Sequence, residues 1–264
     1  MTLRSRQAEQ QGGHERRAFE AVPAEQARRS TIRIRFSKFG KIRFTSHRDV
    51  ARIWERALRR AELPIAYTEG FSPRPKLSFG LALSTGYESH GEYLDVALRD
   101  ALGDAEFHEL PRRFATALPE GIEVQAVMAM PAGAASLQQA VTSCTWHIEV
   151  GAALRSAVAH ATAAALAAPE LVVTRQRKGR SVTDDVRPAI LSAEVLGGTT
   201  IEAELATQPR GLRPAEFLAA VDPTWRADRV TRSNQWTQVG GARREVIDLP
   251  PAATPPPHAE ARAS

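Results

Sequence analysis

Four arginines at intervals of three or four residues carry the most distinctive chemistry in this 264-residue sequence. They are Arg48, Arg52, Arg56 and Arg59. If residues 46–62 form a helix, all four fall within a narrow arc of one face. Guanidinium groups bind phosphate through paired hydrogen bonds, so such a row is typical of a surface that contacts a polyanion. A solvated helix face has the same pattern, and both interpretations stay open.

Basic and aromatic residues on either side of this helix extend the candidate surface. Arg33 and Arg35 alternate with apolar residues over residues 31–36, and this period of two predicts a half-buried strand with a basic outer face. After the helix, two closely spaced prolines predict a loop over residues 70–76. An exposed aromatic ring in such a loop can stack on a base. The loop contributes three candidate binding residues, namely Phe71, Arg74 and Lys76.

The distribution of charge favours a surface that faces a polyanion. The chain has a formal net charge of +5. Residues 31–99 carry 13 basic and 7 acidic side chains, whereas residues 100–135 carry 2 basic and 6 acidic side chains. A basic body followed by an acidic segment is typical of proteins that bind nucleic acid. A generally arginine-rich composition would give a similar excess, so charge alone does not decide.

The triplet His-Arg-Asp at residues 47–49 also occurs in the catalytic loop of protein kinases. A kinase needs an asparagine five residues after the aspartate to hold magnesium, and this chain has Trp54 there. We favour another interpretation, in which Ser46 begins the helix and Asp49 completes a capping box. Three residues stay as candidates for the alternative hypothesis of an enzyme: His47, Asp49 and Asp95.

Composition and cysteine content exclude several classes of protein. Hydrophobic residues make up 43% and charged residues 25%, which is ordinary for a globular protein. Cys144 is the only cysteine, so a disulfide scaffold and a four-thiolate metal site are excluded, and a reducing compartment is favoured. The histidines lack the spacing of a metal site, and no phosphate-binding glycine loop occurs. We therefore expect no metal and no cofactor.

The sequence also predicts where the protein resides. It contains no run of about 18 apolar residues that could span a membrane. The N-terminal residues lack the apolar core of a secretion signal. We expect a cytoplasmic protein that does not associate with membranes.

Periodicity and turn residues predict the elements that must position the candidate residues. The buried face of the helix at residues 46–62 follows from its apolar positions, Val50, Ile53, Trp54, Ala57, Leu58 and Ala61. Further helices are predicted at residues 106–118, 153–168 and 213–221. Strands are predicted at residues 31–36, 65–69, 77–83, 93–98, 122–128, 143–150, 171–177, 186–195, 200–207 and 229–238. Residues 42–45 are predicted as a short return strand or as an extended segment that leads into the helix. Polar loops are predicted at residues 84–92 and 178–185.

The order strand, helix, strand, strand, helix, strand occurs twice among these elements. We therefore predict an α+β fold, a pseudo-duplicate of two ferredoxin-like halves with antiparallel sheets. The first half, residues 31–135, contains the basic helix, and the second spans residues 136–246. Residues 1–30 are predicted as a disordered tail, and residues 247–264 as a Pro/Ala-rich disordered tail.

Long, ordered motifs in the first half resemble a known family. They are FSKFGKIRFTSHRD at residues 36–49, RALRRA at 56–61, EGFSPRPKLSFG at 69–80, GYES at 86–89 and EYLD at 92–95. These motifs resemble the radical-SAM-linked protein family, a domain of unknown function found fused to a radical-SAM domain or free-standing. The resemblance covers residues 31–130 and, more loosely, the second half. It implies the free-standing form, because the cysteine triplet that holds a radical-SAM cluster is missing from this chain.

These observations lead to three competing functions. The leading hypothesis is a non-catalytic accessory module that works with a radical-SAM enzyme in trans, binding RNA or presenting a substrate, in the context of RNA modification. The second is an independent RNA-processing or RNA-modifying enzyme. The third is a protein–protein adaptor that does not bind nucleic acid. Salt dependence of binding separates the first two from the third, because phosphate contacts weaken steeply with salt.

Overall fold

The computed structural model describes residues 30–177 and 179–249, and for residues 175–177 it describes the backbone alone. Most of the two predicted tails, residues 1–30 and 247–264, therefore lies outside the described residues. Of the few tail residues that the structure describes, Ser30 begins the first strand and Ile247 is buried.

The described residues form a mixed α+β fold built on a nine-stranded, mostly antiparallel sheet. The strands are β1 (Ser30–Lys38), β2 (Leu77–Phe79), β3 (Glu88–Leu98), β4 (Ile122–Met130), β5 (Val141–Val150), β6 (Val172–Arg177), β7 (Arg180–Asp185), β8 (Ile190–Gly197), β9 (Thr200–Ala206), β10 (Ala227–Val239) and β11 (Ala242–Glu245). The helices are α1 (His47–Arg60), α2 (Asp104–Ala117), α3 (Leu137–Ala140), α4 (Val158–Ala167) and α5 (Pro214–Val221).

The sheet runs in the order β4-β1-β3-β10-β5-β9-β8. Strand β2 pairs with β3, β11 pairs with β10, and β6 and β7 form a separate hairpin. The first and second parts of the chain meet where β10 lies parallel to β3, with Thr231 opposite Glu88 and Arg232 opposite Ser89. All other pairings between the named strands are antiparallel. Each part has its own hydrophobic core.

The structure confirms the predicted basic helix. The Ser46 hydroxyl accepts a hydrogen bond from the backbone N–H of Asp49 at 3.2 Å, which satisfies one of the free donors at the start of α1. Trp54 is fully buried, with its ring 4.8 Å from that of Phe36 and 5.6 Å from that of Phe114. Helix α1 is therefore fixed on one side, and its other side faces solvent. No helix among the described residues is long and apolar enough to cross a membrane.

Two predicted strands in the first half are wrong. Residues 42–44 belong to a 3₁₀ helix, Gly40–Phe44, which packs beside α1, and only Thr45 after it is extended. In place of a strand at residues 65–69, two isolated bridges join Ile65 to Leu98 and Tyr67 to Pro75. The chain leaves the edge of β3 after residue 66 and returns at residue 76, and residues 67–74 between them are exposed. Local alternation could not predict this excursion, because it depends on pairing with β3.

Two predicted loops turn out to be strands. Strand β3 begins at Glu88, inside the predicted loop 84–92, because Glu88 and Ser89 pair with β10 from the far end of the chain. Strand β7 occupies most of the predicted loop 178–185, because it pairs with β6. Strand β11 was not predicted. It follows the two-residue turn Gly240-Gly241, whose positive φ values of 59° and 80° match the twist of a tight hairpin.

Candidate functional site

Helix α1 presents a row of exposed arginines, which we term the arginine face. Its members are Arg48, Arg52, Arg56 and Arg59. The Ser46 cap sets the start of the helix, and burial of Val50, Trp54 and Leu58 sets its rotation. These two local constraints turn the arginines outward. The exposure expected from the sequence is therefore confirmed for all four residues, together with Arg60 beside them.

The positive charge of the arginine face is only partly neutralised. Arg52 pairs with Asp49 at 3.1 Å, and Arg59 Nε donates to the backbone carbonyl of Glu55 at 3.0 Å. Within the described part of the chain, no carboxylate lies within ion-pairing distance of Arg48 or Arg56. Their guanidinium groups are available to phosphate oxygens, each through paired N–H donors.

Asp49 takes part in the cap that begins α1. Its carboxylate accepts a hydrogen bond from the Ser46 hydroxyl at 2.7 Å. This bond, assisted by the charges of Arg52 and Arg48, lowers the pKa of the Asp49 carboxyl. The side chain is therefore held ionised at the positive end of the helix.

The 3₁₀ helix adds an exposed aromatic ring to this side of the molecule. Phe44 is 63% exposed, and the Arg43 guanidinium lies 4.7 Å from its ring centre. A groove of about 390 Å³ separates this segment from α2 and is lined in part by Ile42, Arg56 and Arg60. Sequence reasoning missed Phe44, because residues 42–45 were assigned to a strand or an extended segment.

The predicted loop at residues 70–76 lies in the excursion, the segment in which the chain leaves the edge of β3 after residue 66. Its base is closed by the Tyr67–Pro75 bridge, and the backbone N–H of Thr68 donates to the carbonyl of Arg74 at 2.8 Å. Phe71 at its tip is fully exposed, with a relative accessibility of 110%. Arg74 and Lys76 are exposed as well. The loop thus presents one free aromatic ring and two cations to solvent.

Arg33 and Arg35 do not lie on an outer face, and that part of the prediction is wrong. Both are buried, at 5% and 4% exposure. Arg33 binds both carboxylate oxygens of Asp95, at 2.7 and 2.8 Å. Arg35 binds Glu245 and donates to the Ile247 carbonyl at 3.0 Å. The C-terminal segment covers this face of the sheet, which no local pattern in β1 could reveal.

The three catalytic candidates lie in different surroundings. The His47 ring is exposed and packs against Phe79 at a centroid distance of 5.0 Å. Asp49 caps α1, and Asp95 is bound to Arg33. No hydrogen bond joins any two of these candidates in the described structure. No group of three His, Cys, Asp or Glu residues among the described residues could hold a metal ion.

Buried ion pairs at the junction of the two parts went unnoticed in the sequence. Arg232 is 1% exposed, donates three hydrogen bonds of 2.6–3.0 Å to Glu92, and stacks over Trp146. Fully buried Glu88 accepts from Arg43 and Arg229. Burial alone would raise the pKa of the Glu88 carboxyl. The hydrogen bonds from Arg229 and Arg43 have the larger effect, so the pKa is lowered overall.

Lys38 lies beside this junction and was likewise missed. It lies beyond the predicted strand 31–36 but is the last residue of β1, and it is 4% exposed. Burial lowers the pKa of Lys38, and the charge of Glu92 partly opposes this effect. If the alternation of β1 is extended from Phe36 by two residues, it predicts that Lys38 is buried, and this is the signal that could have identified it.

Comparison with known protein families adds an independent finding. The model of a family described as an uncharacterized protein conserved in bacteria, DUF2344, matches residues 31–214. The match covers more than half of the chain, so the chain belongs to this family. No curated protein matches the chain.

Proposed function

We propose that this member of DUF2344 is a non-catalytic accessory module that binds RNA through the arginine face of α1. One observation carries the proposal: exposed guanidinium groups on a rigid helix, of which Arg48 and Arg56 have no carboxylate partner in the described structure. Side chains held on a helix pay less conformational entropy on binding than those on a mobile tail. A polyanion is the ligand that such a row fits best.

Exposed aromatic rings favour RNA over other polyanions. Phe44 lies on the segment that packs beside α1, and Phe71 is at the tip of the excursion. Bases in single-stranded regions of RNA stack on such rings, whereas phosphate contacts alone carry no preference for unpaired bases. Arg74 and Lys76 in the same loop would hold the adjoining phosphates.

We further propose that the module acts with a radical-SAM enzyme in trans. The proposal rests on the resemblance of residues 36–95 to the radical-SAM-linked family. A radical-SAM cluster needs three cysteine ligands, and this chain has only Cys144. That thiol is buried, and burial raises its pKa to about 11, which disfavours a ligand role. The cluster would therefore be supplied by another polypeptide.

The duplicated ferredoxin-like architecture also stays a proposal, and strand order supports it. The first part contributes β1-α1-β2-β3-α2-β4, with the sheet order β4-β1-β3-β2. The second contributes β5, α4, β8, β9, α5 and β10, with the sheet order β10-β5-β9-β8. The two orders correspond strand by strand, if the β6–β7 hairpin is treated as an insertion.

The test is a fluorescence-anisotropy titration of the full chain with bulk tRNA or a mixed RNA oligonucleotide at several salt concentrations. We expect binding tighter than about 100 μM at low salt and a linear fall of log affinity with log salt concentration. The double variant Arg52→Glu, Arg56→Glu should bind more than about tenfold more weakly, with a salt slope lower by about 0.7–0.9 for each lost phosphate contact.

The matched control reverses two exposed arginines in the second part, Arg180→Glu and Arg244→Glu. It makes the same change in net charge without touching α1. Equal loss of affinity in both double variants would show that net charge alone drives binding. A wild-type chain that does not bind RNA would refute the proposal and leave the adaptor hypothesis. Turnover of RNA by the purified chain would instead favour the enzyme.

A further inference from the structure

A small cavity lies between the end of β1 and the first turn of α1, away from the arginine face. Its volume is about 20 Å³, and its walls include Phe36, Lys38, His47, Val50, Phe79 and Glu92. It adjoins a wider groove of about 480 Å³ along residues 77–82, which shares His47 and Phe79 with it. Lys38 and Glu92 are the charged residues in the wall of the small cavity, and His47 borders both the cavity and the groove.

Lys38 is the residue in the cavity wall whose hydrogen bonding is incomplete. An ammonium group has three donors. In the described structure Lys38 Nζ makes a single hydrogen bond, to the backbone carbonyl of Arg43 at the long distance of 3.4 Å. The residue is 4% exposed, and no described protein group accepts a hydrogen bond from its two remaining donors. Such a group is costly to bury unless a further acceptor approaches it.

The charges around the cavity do not balance. Glu92 is the carboxylate that acts on Lys38, but both of its oxygens already accept hydrogen bonds from Arg232, at 2.6 and 2.7 Å. Glu88 is occupied by Arg43 and Arg229. Two buried cations, Lys38 and Arg232, therefore share one carboxylate. The missing negative charge is what an anionic ligand would supply.

We propose that this cavity binds the oxyanion head group of a small molecule or of a chain terminus, with Lys38 Nζ as its main partner. His47 stands at the mouth and can donate a second hydrogen bond. The positive end of α1 favours a negative charge at the same place. The proposal is independent of RNA binding by α1, since neither Lys38 nor the groove belongs to the arginine face.

The size of the cavity favours a carboxylate. A volume of about 20 Å³ accommodates one or two water-sized atoms, which matches the two oxygens of a carboxylate better than a phosphate. The groove along residues 77–82 has room for the rest of the ligand. The ligand class is thus a small carboxylic acid, and the experiment below separates it from a phosphate.

The experiment measures the melting temperature of the full chain against sodium acetate and, separately, sodium phosphate at constant ionic strength set with sodium chloride. An anion that binds the folded state at a concentration c stabilises it by RT ln(1 + c/Kd), so the melting temperature begins to rise near the Kd and then continues to rise with the logarithm of the anion concentration. We expect a fit of this relation to give an apparent Kd of about 10 mM or tighter for at least one of the two anions. The anion that binds more tightly identifies the head group as carboxylate or phosphate.

Lys38→Met should weaken this binding by about tenfold or more, because it removes the main charged partner. The control Lys41→Met removes an exposed cation from the neighbouring 3₁₀ helix and should leave the Kd unchanged. His47→Gln, at an exposed position, gives a second test if Lys38→Met does not fold, and should weaken binding by about threefold. A melting temperature that neither anion raises at constant ionic strength, or an unchanged Kd in both Lys38→Met and His47→Gln, would overturn the proposal.

Discussion

The arginines of α1 and the arginines of the sheet are the same residue type in opposite surroundings. Arg48 and Arg56 are exposed and lack a carboxylate partner in the described structure, whereas Arg232 is 1% exposed and fully engaged by Glu92. The exposed set can exchange water for a ligand at little cost, because its charge is solvated before binding. The buried set cannot, because each of its charges depends on a fixed partner. The difference separates arginines available for function from arginines that specify the fold.

The largest expected effect is the loss of a buried partner. Arg232→Met leaves the Glu92 carboxylate buried without its main cation, so we expect the free energy of unfolding to fall by about 3–5 kcal/mol. Arg52→Met, on the exposed helix face, should change it by less than about 0.5 kcal/mol. Urea denaturation followed by circular dichroism measures both.

A second variant keeps this comparison informative. Replacing Arg232, Glu92 and Lys38 together by Met should restore part of the lost stability, because no member of this buried group of charges is then left uncompensated. Similar small effects for Arg232→Met and Arg52→Met would show that the two sets of arginines do not differ as described.

A buried aromatic residue of α1 and an exposed one beside the helix should differ nearly as much in their contribution to the free energy of unfolding. Trp54→Ala removes a fully buried ring that contacts Phe36 and Phe114, and we expect a loss of about 3–5 kcal/mol. The indole Nε1 has no hydrogen-bond partner in the described structure, so its removal leaves no acceptor unpaired, and the loss should lie at the lower end. Phe44→Ala, an aromatic residue 63% exposed, is the matched control and should cost far less. Equal costs would mean that α1 is not anchored through Trp54.

The same comparison explains how much of the site the sequence could predict. The rotation of α1 depends on a cap and an apolar face within 16 residues, so the exposure of Arg52 and Arg56 followed from local pattern. The burial of Arg35 depends on Glu245 and Ile247, about 210 residues away along the chain. A period of two separates the faces of a strand but does not say which face another segment covers.

Pairing between distant strands limited the fold prediction in the same way. Helix types and most strands follow from periodicity and from proline or glycine stops. The extension of β3 to Glu88 arises because β1 and β10 both pair with its start, and the burial of Arg232 because β10 lies beside β3. Lys38 and Glu92 meet at one cavity because β1 pairs with β3, so the cavity could not be predicted from local pattern.

A moderate effect is expected at the cap that begins α1. Ser46→Ala removes the hydrogen bond to the Asp49 N–H and should lower the free energy of unfolding by about 1 kcal/mol. It also removes the hydroxyl donor to the Asp49 carboxylate, so the pKa of Asp49 should rise towards its ordinary value, as measured by NMR titration. An unchanged Asp49 pKa in the variant would contradict the capping assignment.

The cap also predicts a dependence on pH with a definite sign. The pKa of Asp49 is lowered in the folded state, so its contribution is present above the ordinary pKa of about 3.9 and is lost as the pH falls through the lowered value. The difference in stability between the wild type and Ser46→Ala should therefore narrow at strongly acidic pH. A constant difference from neutral to strongly acidic pH would show that the carboxylate does not take part in the cap.

The smallest effect on stability, and the sharpest on binding, is expected at Phe71. Its ring is fully exposed, so Phe71→Ala should change the free energy of unfolding by less than about 0.5 kcal/mol. If the ring stacks on a base, the affinity for RNA should nevertheless fall by about 1–3 kcal/mol. The salt slope should stay as in the wild type, because no charge is removed, in contrast to the reversal of Arg52 and Arg56. Leu191→Ala, an exposed apolar residue on β8, is the control and should alter neither property. An unchanged affinity in Phe71→Ala, with reduced affinity in the arginine variant, would restrict the RNA contact to the phosphates along α1 and remove the loop from the proposed interface.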